Sequence, residues 1–188
     1  MDAIELLHTR ASAVKLQEPG PSPENLDAIL QSAVRAPDHG RRRPWRFIII
    51  SKDKRERFGE VMANLLKADQ PDIMPDILQK EREKAMRAPL ILVAVARTKA
   101  DDKIPEIEQI LSAGAAAQNI MLAAHALGFG AMWKTGDLAY DVRMKKALGL
   151  ESGDSIIGFI YIGTPASGVV RTERPRPVPA DYVTVWQD

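Results

Sequence analysis

Apolar positions along the chain fall into stripes of three-to-four spacing and short continuous runs, separated by Pro, Gly and capping residues. Asp2 stands ahead of Ile4, Leu6 and Leu7 and predicts a capped first helix ending near Thr9 and Arg10. The segment Pro19-Gly20-Pro21-Ser22-Pro23 is a break. Ser22, followed by Pro23 and Glu24, then opens a second helix with a stripe of Leu26, Ile29, Leu30 and Ala33. Trp45 to Ile50 is aromatic and β-branched, hence a strand. Lys52 to about Ala68 reads as an amphipathic helix through Phe58, Val61, Met62, Leu65 and Leu66. Gln70 to Arg87, interrupted by Pro71 and Pro75, reads as helical but peripheral, a candidate lid.

Leu90 to Ala96 is apolar throughout and predicts a fully buried strand. From Pro105 to Leu127 runs a long Ala-rich helix. Ile107, Ile110, Leu111, Ala117, Met121 and Ala124 form one broad face, and small residues cover most of the rest. A helix apolar or small nearly all round is buried on several sides, at the centre of the protein or of a dimer. Gly128-Phe129-Gly130 ends it and Ala131-Met132-Trp133 starts a third extended piece. Val142 to Leu148 is a short helix closed by Gly149, and Ser155 to Ile162 is a fourth strand. The last 25 residues hold Pro165, Pro175, Pro177 and Pro179 and end in Tyr182-Val183-Thr184-Val185-Trp186. Such an arm cannot pack on itself and must lie on this subunit's sheet or another's. The sum is one α+β domain over residues 1–188, with four or five strands and no internal repeat. The chain has neither G-x-G-x-x-G nor G-x-x-x-x-G-K-[ST], against a Rossmann or P-loop site.

Composition narrows this only a little. The chain has no Cys, which excludes disulfides and thiolate chemistry, and its formal net charge of +1 neither demands nor excludes nucleic acid. The N-terminus carries acids where a signal peptide is basic, and the longest apolar stretch, Ala88 to Ala96, is less than half a membrane span. The expectation is a soluble, cytoplasmic protein with no membrane partner. His8, His39 and His125 lack metal-ligand spacing, so no metal site is expected.

Three constellations could carry chemistry. Arg10-Ala11-Ser12 sets a guanidinium and a hydroxyl where both can reach one phosphate, although a cation and a turn-forming Ser also suit a plain helix end. Arg35-Ala36-Pro37-Asp38-His39-Gly40-Arg41-Arg42-Arg43-Pro44-Trp45 opens a basic region. From Arg35 to Arg57 there are nine Lys and Arg against three Asp and Glu, an excess of six positive charges. That field suits a nucleotide phosphate, or is a solvated loop; nucleic acid is disfavoured because no set of stacking rings accompanies it. Gly128 to Gly136 flanks a short strand with glycines and offers Trp133 as a flat face with Lys134 and Thr135 as donors. A core strand with a packed Trp is the alternative.

In this order and spacing the three resemble the motifs of the nitroreductase family, in its compact YdjA-like branch. Arg10-Ala11-Ser12 is similar to the family's Arg-Arg-Ser, and Arg35 to His39 to the branch's Arg-Ala-Pro-Asp-His. Gly128 to Gly136 is similar to Gly-x-Gly-x-x-Trp-x-(Ser/Thr)-Gly, and Ile160 to Pro165 to the closing strand and turn. The resemblance implies a nitroreductase-like fold: a central, mostly antiparallel sheet flanked by helices, with a domain-swapped arm from about 164 to 188 in a homodimer. It implies non-covalent FMN at the dimer interface, NAD(P)H as co-substrate and a small electron acceptor such as a nitroaromatic or quinone, with the flavin and no protein residue carrying the chemistry. Arg10, Ala11 and Ser12 would hold the flavin phosphate and ring edge; Arg35, Pro37 and His39 would lie along the flavin, His39 reaching in from the partner; Trp133, Lys134 and Thr135 would lie beside it. Arg174 or Arg176 would complete the phosphate site. Arg41 and Arg43 stand where the wider family has Asn and Gln, and Ala11 where it has Arg. Alternatives are another flavin reaction on this scaffold (dehalogenation or flavin fragmentation), a basic binding module without cofactor, or a structural dimer that has lost FMN.

Overall fold

The structure is a computed structural model and describes residues 2–100, 103–167 and 177–186. Arg174 and Arg176, the expected phosphate-completing residues of the arm, lie outside the described residues. Helices α1 (Ala3–Thr9), α2 (Pro23–Ala33), α3 (Asp53–Asp69), α4 (Pro75–Glu83), α5 (Glu106–Ala126) and α6 (Val142–Ala147) surround a five-stranded sheet of β1 (Leu16–Gln17), β2 (Trp45–Ser51), β3 (Leu90–Arg97), β4 (Gly130–Lys134) and β5 (Asp154–Pro165). All pairings among these strands are antiparallel. β3 lies between β2 and β5, and the other side of β5 carries β1 and β4 end to end.

Local chemistry accounts for the helix starts. The Asp2 carboxylate accepts from the backbone N–H of Ile4 (2.8 Å) and of Glu5 (2.9 Å). Ser22 caps α2 through Asn25 N–H, with Pro23 in the first turn. β1 was not expected: two residues show no periodicity, and only their pairing with Pro165 and Thr164 makes them a strand.

Alternation along the strands splits the core in two. Leu90, Leu92, Ala94, Ile160 and Ile162 face α2 and α5. Ile91, Val93, Val95, Phe159 and Tyr161 face the other way, into the cluster that holds Phe58 and Met62 of α3 and Met144 of α6. The α5 stripe that meets the sheet is Ala116, Ala117, Ile120, Met121 and Ala124. Ile107 and Leu111, grouped with that face in the sequence, point outward instead, Leu111 at 64% exposure. The small residues allow close approach to the sheet, which leaves the larger pair on the opposite side. Among the described residues no helix is long and apolar enough to cross a membrane.

Candidate functional site

The first constellation follows directly on α1. Ser12 forms a parallel bridge to Ala131 of β4, and the Ala13 N–H donates to the Ala131 carbonyl at 2.9 Å. Arg10-Ala11-Ser12 is therefore held beside the glycine-flanked strand, although more than a hundred residues separate them. Nη1 of Arg10 is buried with no hydrogen-bond partner among the described residues. A buried guanidinium nitrogen left without an acceptor costs on the order of 1–3 kcal/mol, so the position suits an acceptor that the described residues do not supply. Neighbouring Thr9 exchanges a hydrogen bond with His125 of α5 at 3.2 Å, so His125 has a partner that sequence did not reveal.

The glycines of the third constellation have separate jobs. Gly128 turns the chain out of α5 at φ 84°. Gly130 has no room for a side chain, since a Cβ there would lie 2.7 Å from Ala13 Cβ and from Leu16 Cδ2. Gly128 thus serves the turn and Gly130 the packing of residues 13–16. Gly136 has φ 71° and ψ −175°, a conformation open almost only to glycine, and nothing occupies the space beside it.

Trp133 is half-buried and is held by a defect in the sheet. Val95 pairs with Ile156 and Ala94 with Gly158, so Ile157 is an extra residue, a bulge in β5. The Trp133 indole N–H donates to the Ile157 carbonyl at 3.1 Å. Gly158 makes room for the ring, because a Cβ there would sit 2.1 Å from Trp133 Nε1.

Trp133, Lys134 and Thr135 border a cleft of about 610 Å³ on the α3 side of the sheet. Phe58, Met62, Leu65 and Leu66 of α3 form one apolar wall, Phe159 and Tyr161 the floor, and Gly136, Asp137, Leu138 and Asp141 a rim. The Gln70–Arg87 segment is the second wall rather than a peripheral element. Leu78, Glu81 and Ala85 are buried, and Arg82 pairs with Glu60 of α3 at 2.8 Å. It contributes Glu81, Lys84 and Arg87 to the cleft.

Most charges of the cleft are paired. Arg143 grips Asp69 through two bonds of 2.8 Å and Asp141 at 2.6 Å, and these hydrogen bonds hold both carboxyls below the usual carboxylate range. Lys84 pairs with Glu81. Burial pushes the Tyr161 hydroxyl up to about 12, with Glu81 adding to the shift and Arg87 opposing it.

Arg35, Pro37 and His39 do not join this group in the single chain. The Pro37 carbonyl accepts from Ser112 Oγ at 2.6 Å, and His39 Nδ1 meets Glu108 at 2.5 Å, both on the N-terminal half of α5. Arg35 is exposed nearby. Thr9 and Arg10 sit at the other end of that helix, where His125 lies. Seventeen residues of α5 separate Glu108 from His125, roughly 25 Å of helix rise. The loop that carries His39 is strained: Gly40, Arg41 and Arg43 have φ of 67°, 53° and 49°, and Asp38 accepts from Arg42 N–H at 3.1 Å and Arg43 N–H at 2.8 Å.

An antiparallel sheet flanked by helices in this order is a fold shared with solved nitroreductase-like proteins. The nitroreductase-like family protein from Bacillus cereus superposes with a TM-score of 0.83 at 20% identity, over 100% of this chain and 97% of that one. A nitroreductase from Desulfovibrio desulfuricans, solved in complex with FMN, gives a TM-score of 0.73 at 24% identity, over 100% and 99%. The chain belongs to the nitroreductase family, a family of oxidoreductases: the model of that family matches residues 9–164. It is also 41% identical over 180 residues to YdjA of Escherichia coli K12, which carries the provisional name NAD(P)H nitroreductase, covering 94% of this chain and 97% of that one.

Proposed function

We propose that this chain is an FMN-dependent NAD(P)H oxidoreductase that works as a homodimer and reduces a small nitroaromatic, quinone or related acceptor. The observation that carries the reading is the buried, unpartnered Nη1 of Arg10 beside the strand of Trp133, Lys134 and Thr135. A phosphate oxygen is the acceptor such a nitrogen lacks, and Ser12 stands in the same turn to donate a second bond. The residues present therefore fit the flavin phosphate. When bound, FMN would take hydride from NAD(P)H and give it to the acceptor in alternate half-reactions, so no protein nucleophile is required. Arg10 and Ser12 would hold and orient the phosphate. Trp133 is fixed by its bond to Ile157 and would keep the edge of the site rigid, while Lys134 and Thr135 offer donors toward the cleft.

A dimer is favoured by the separation along α5. An isologous contact across this helix brings residue i of one chain to residue j of the other, so His39 of the partner subunit could meet the Arg10 end. Ile107 and Leu111 are exposed on the outward face of α5, and in the arm Tyr182, Val183, Val185 and Trp186 are exposed, Trp186 at 85%. These apolar side chains need cover that the described residues of one chain do not give them.

The test is the visible spectrum of the purified protein, with the released chromophore identified by mass and the molecular mass measured in solution. We expect yellow dimers carrying FMN, and Arg10→Ala protein that keeps its fold but loses most of its flavin. Colourless protein that also fails to take up added FMN would overturn the reading.

A further inference from the structure

The cleft of about 610 Å³ holds two hydrogen-bond donors without acceptors among the described residues. Tyr161 is only 5% exposed, lines the cleft from the middle of β5, and its hydroxyl finds no partner among the described residues. Arg87 stands on the wall formed by the Gln70–Arg87 segment, near enough for its charge to be felt at that hydroxyl. No carboxylate among the described residues pairs with the Arg87 guanidinium, because Glu81 is taken by Lys84, and Asp69 and Asp141 by Arg143. The phenol stays protonated across the working range, so it can only donate to an anion. The remaining walls, Phe58, Leu66, Trp133 and Phe159, are apolar or flat. The volume falls within the span of small-molecule sites.

We infer that Tyr161 and Arg87 form a specificity subsite for an acceptor oxygen, and that the cleft selects a flat aromatic compound bearing a carboxylate over its neutral analogue. This rests on the proposed reductase reading for its purpose, since the bound aromatic would be the electron acceptor, but the subsite itself is a matter of binding. The two donors are a matched pair: a guanidinium presents N–H groups in a plane, and the phenol adds one O–H to the same group. Of the other charges that line the cleft, Glu81 is neutralised by Lys84 and Asp69 and Asp141 by Arg143, while Lys134 and Asp137 at the rim carry opposite signs.

The experiment is equilibrium titration of the flavin-loaded protein with 4-nitrobenzoate and with 4-nitrobenzamide, without reductant, at low salt, with flavin content measured in each sample. The expected result is tighter binding of the carboxylate by wild type, by about fivefold. Arg87→Gln should remove most of that preference, and Tyr161→Phe should weaken carboxylate binding by about threefold while sparing the amide more. Added salt should shrink the preference in wild type and leave Arg87→Gln unchanged. Equal binding of the two compounds by wild type overturns the inference, as does a preference that survives Arg87→Gln. Variants that lose flavin yet keep the preference would also overturn it, for the pair would then serve the flavin and not the acceptor. If wild type carries no flavin, the reductase reading fails by itself, and the same titration on that protein still decides whether the subsite exists.

Discussion

The two faces of the sheet use the same alternating strands and reach opposite outcomes. On the α5 side Ala116, Ala117 and Ala124 let the helix lie close against Leu92, Ile160 and Ile162, and the layer is filled. On the α3 side larger residues, Phe58, Met62 and Leu66, line the space between helix and sheet, and ion pairs hold its rim. That side keeps a cleft of about 610 Å³. Strand pattern does not decide which face is a core and which is a site; the size and charge of the helical side chains do. Interiors are normally close-packed, so a cleft of that size persists only where its lining tolerates water or a ligand.

The largest difference should appear on removing side-chain bulk from each face. Ile120 of α5 is fully buried in the filled layer, so Ile120→Ala should cost about 3 kcal/mol of unfolding free energy in urea. Leu66 borders the cleft and is only half-buried, so Leu66→Ala should cost under about 1 kcal/mol, because truncation enlarges a space that is already open. Equal losses would erase the distinction between the faces.

Gly158 lies where the two faces meet through Trp133. Gly158→Ala puts a Cβ 2.1 Å from the indole nitrogen, so the ring must leave its bond to Ile157. Overpacking plus an orphaned carbonyl should cost about 2 kcal/mol. A red-shifted Trp fluorescence should accompany the loss; unchanged stability and spectrum would show that the bulge does not hold Trp133.

Much of the filled face was legible in the sequence and little of the open one was. The stripe of α2 and the run of β3 repeat locally, so their existence follows from spacing and the start of α2 from Ser22 and Pro23, whereas on the open face only the stripe of α3 is written locally. Ile107 and Leu111 were placed on the wrong side because a helix of small residues has no strong apolar side to read. The cleft draws on α3, residues 81–87, 133–141 and β5, and no local pattern joins these. Tyr161 reads as one more core residue of a strand until the helices opposite it are in place. Arg10 and Ser12 were found through the order of motifs, whereas their contact with Ala131 is a product of topology. His39 was expected beside the flavin; in the single chain it meets Glu108, 69 positions away. Only a second chain could return it to that group.

A smaller effect tests the rim of the cleft through pH. Hydrogen bonds from Arg143 lower the folded-state pKa of Asp69 and Asp141. A lowered carboxyl contributes stability that is present above its unfolded value of about 4 and is lost as pH falls through the lower folded value. Wild type should therefore lose part of its stability on acidification from about pH 4 downward. Arg143→Ala should be less stable at neutral pH and show a shallower acid limb. Because the network is largely exposed, the whole difference should shrink in high salt. An acid limb of the same slope in both proteins would exclude this network as its source.

The smallest effect belongs to the strained loop beyond the filled face. Arg41 holds φ 53°, the left-handed region, which disfavours residues with a Cβ but tolerates Asn several-fold better than most. The backbone shape is imposed from outside the residue: Asp38 binds the N–H groups of Arg42 and Arg43, and Gly40 before it is left-handed too. Arg41→Asn keeps that shape and should lower its local cost, raising stability by about 0.5 kcal/mol and the melting temperature by roughly 1–2 °C. The wider family's motif has Asn at the corresponding place, which fits a demand of the backbone as readily as one of a ligand. The two demands separate in measurement. A gain in melting temperature with unchanged NAD(P)H kinetics at low salt assigns the position to the turn. A raised Michaelis constant for NAD(P)H without a gain in stability would assign Arg41 to the positive field of the loop instead.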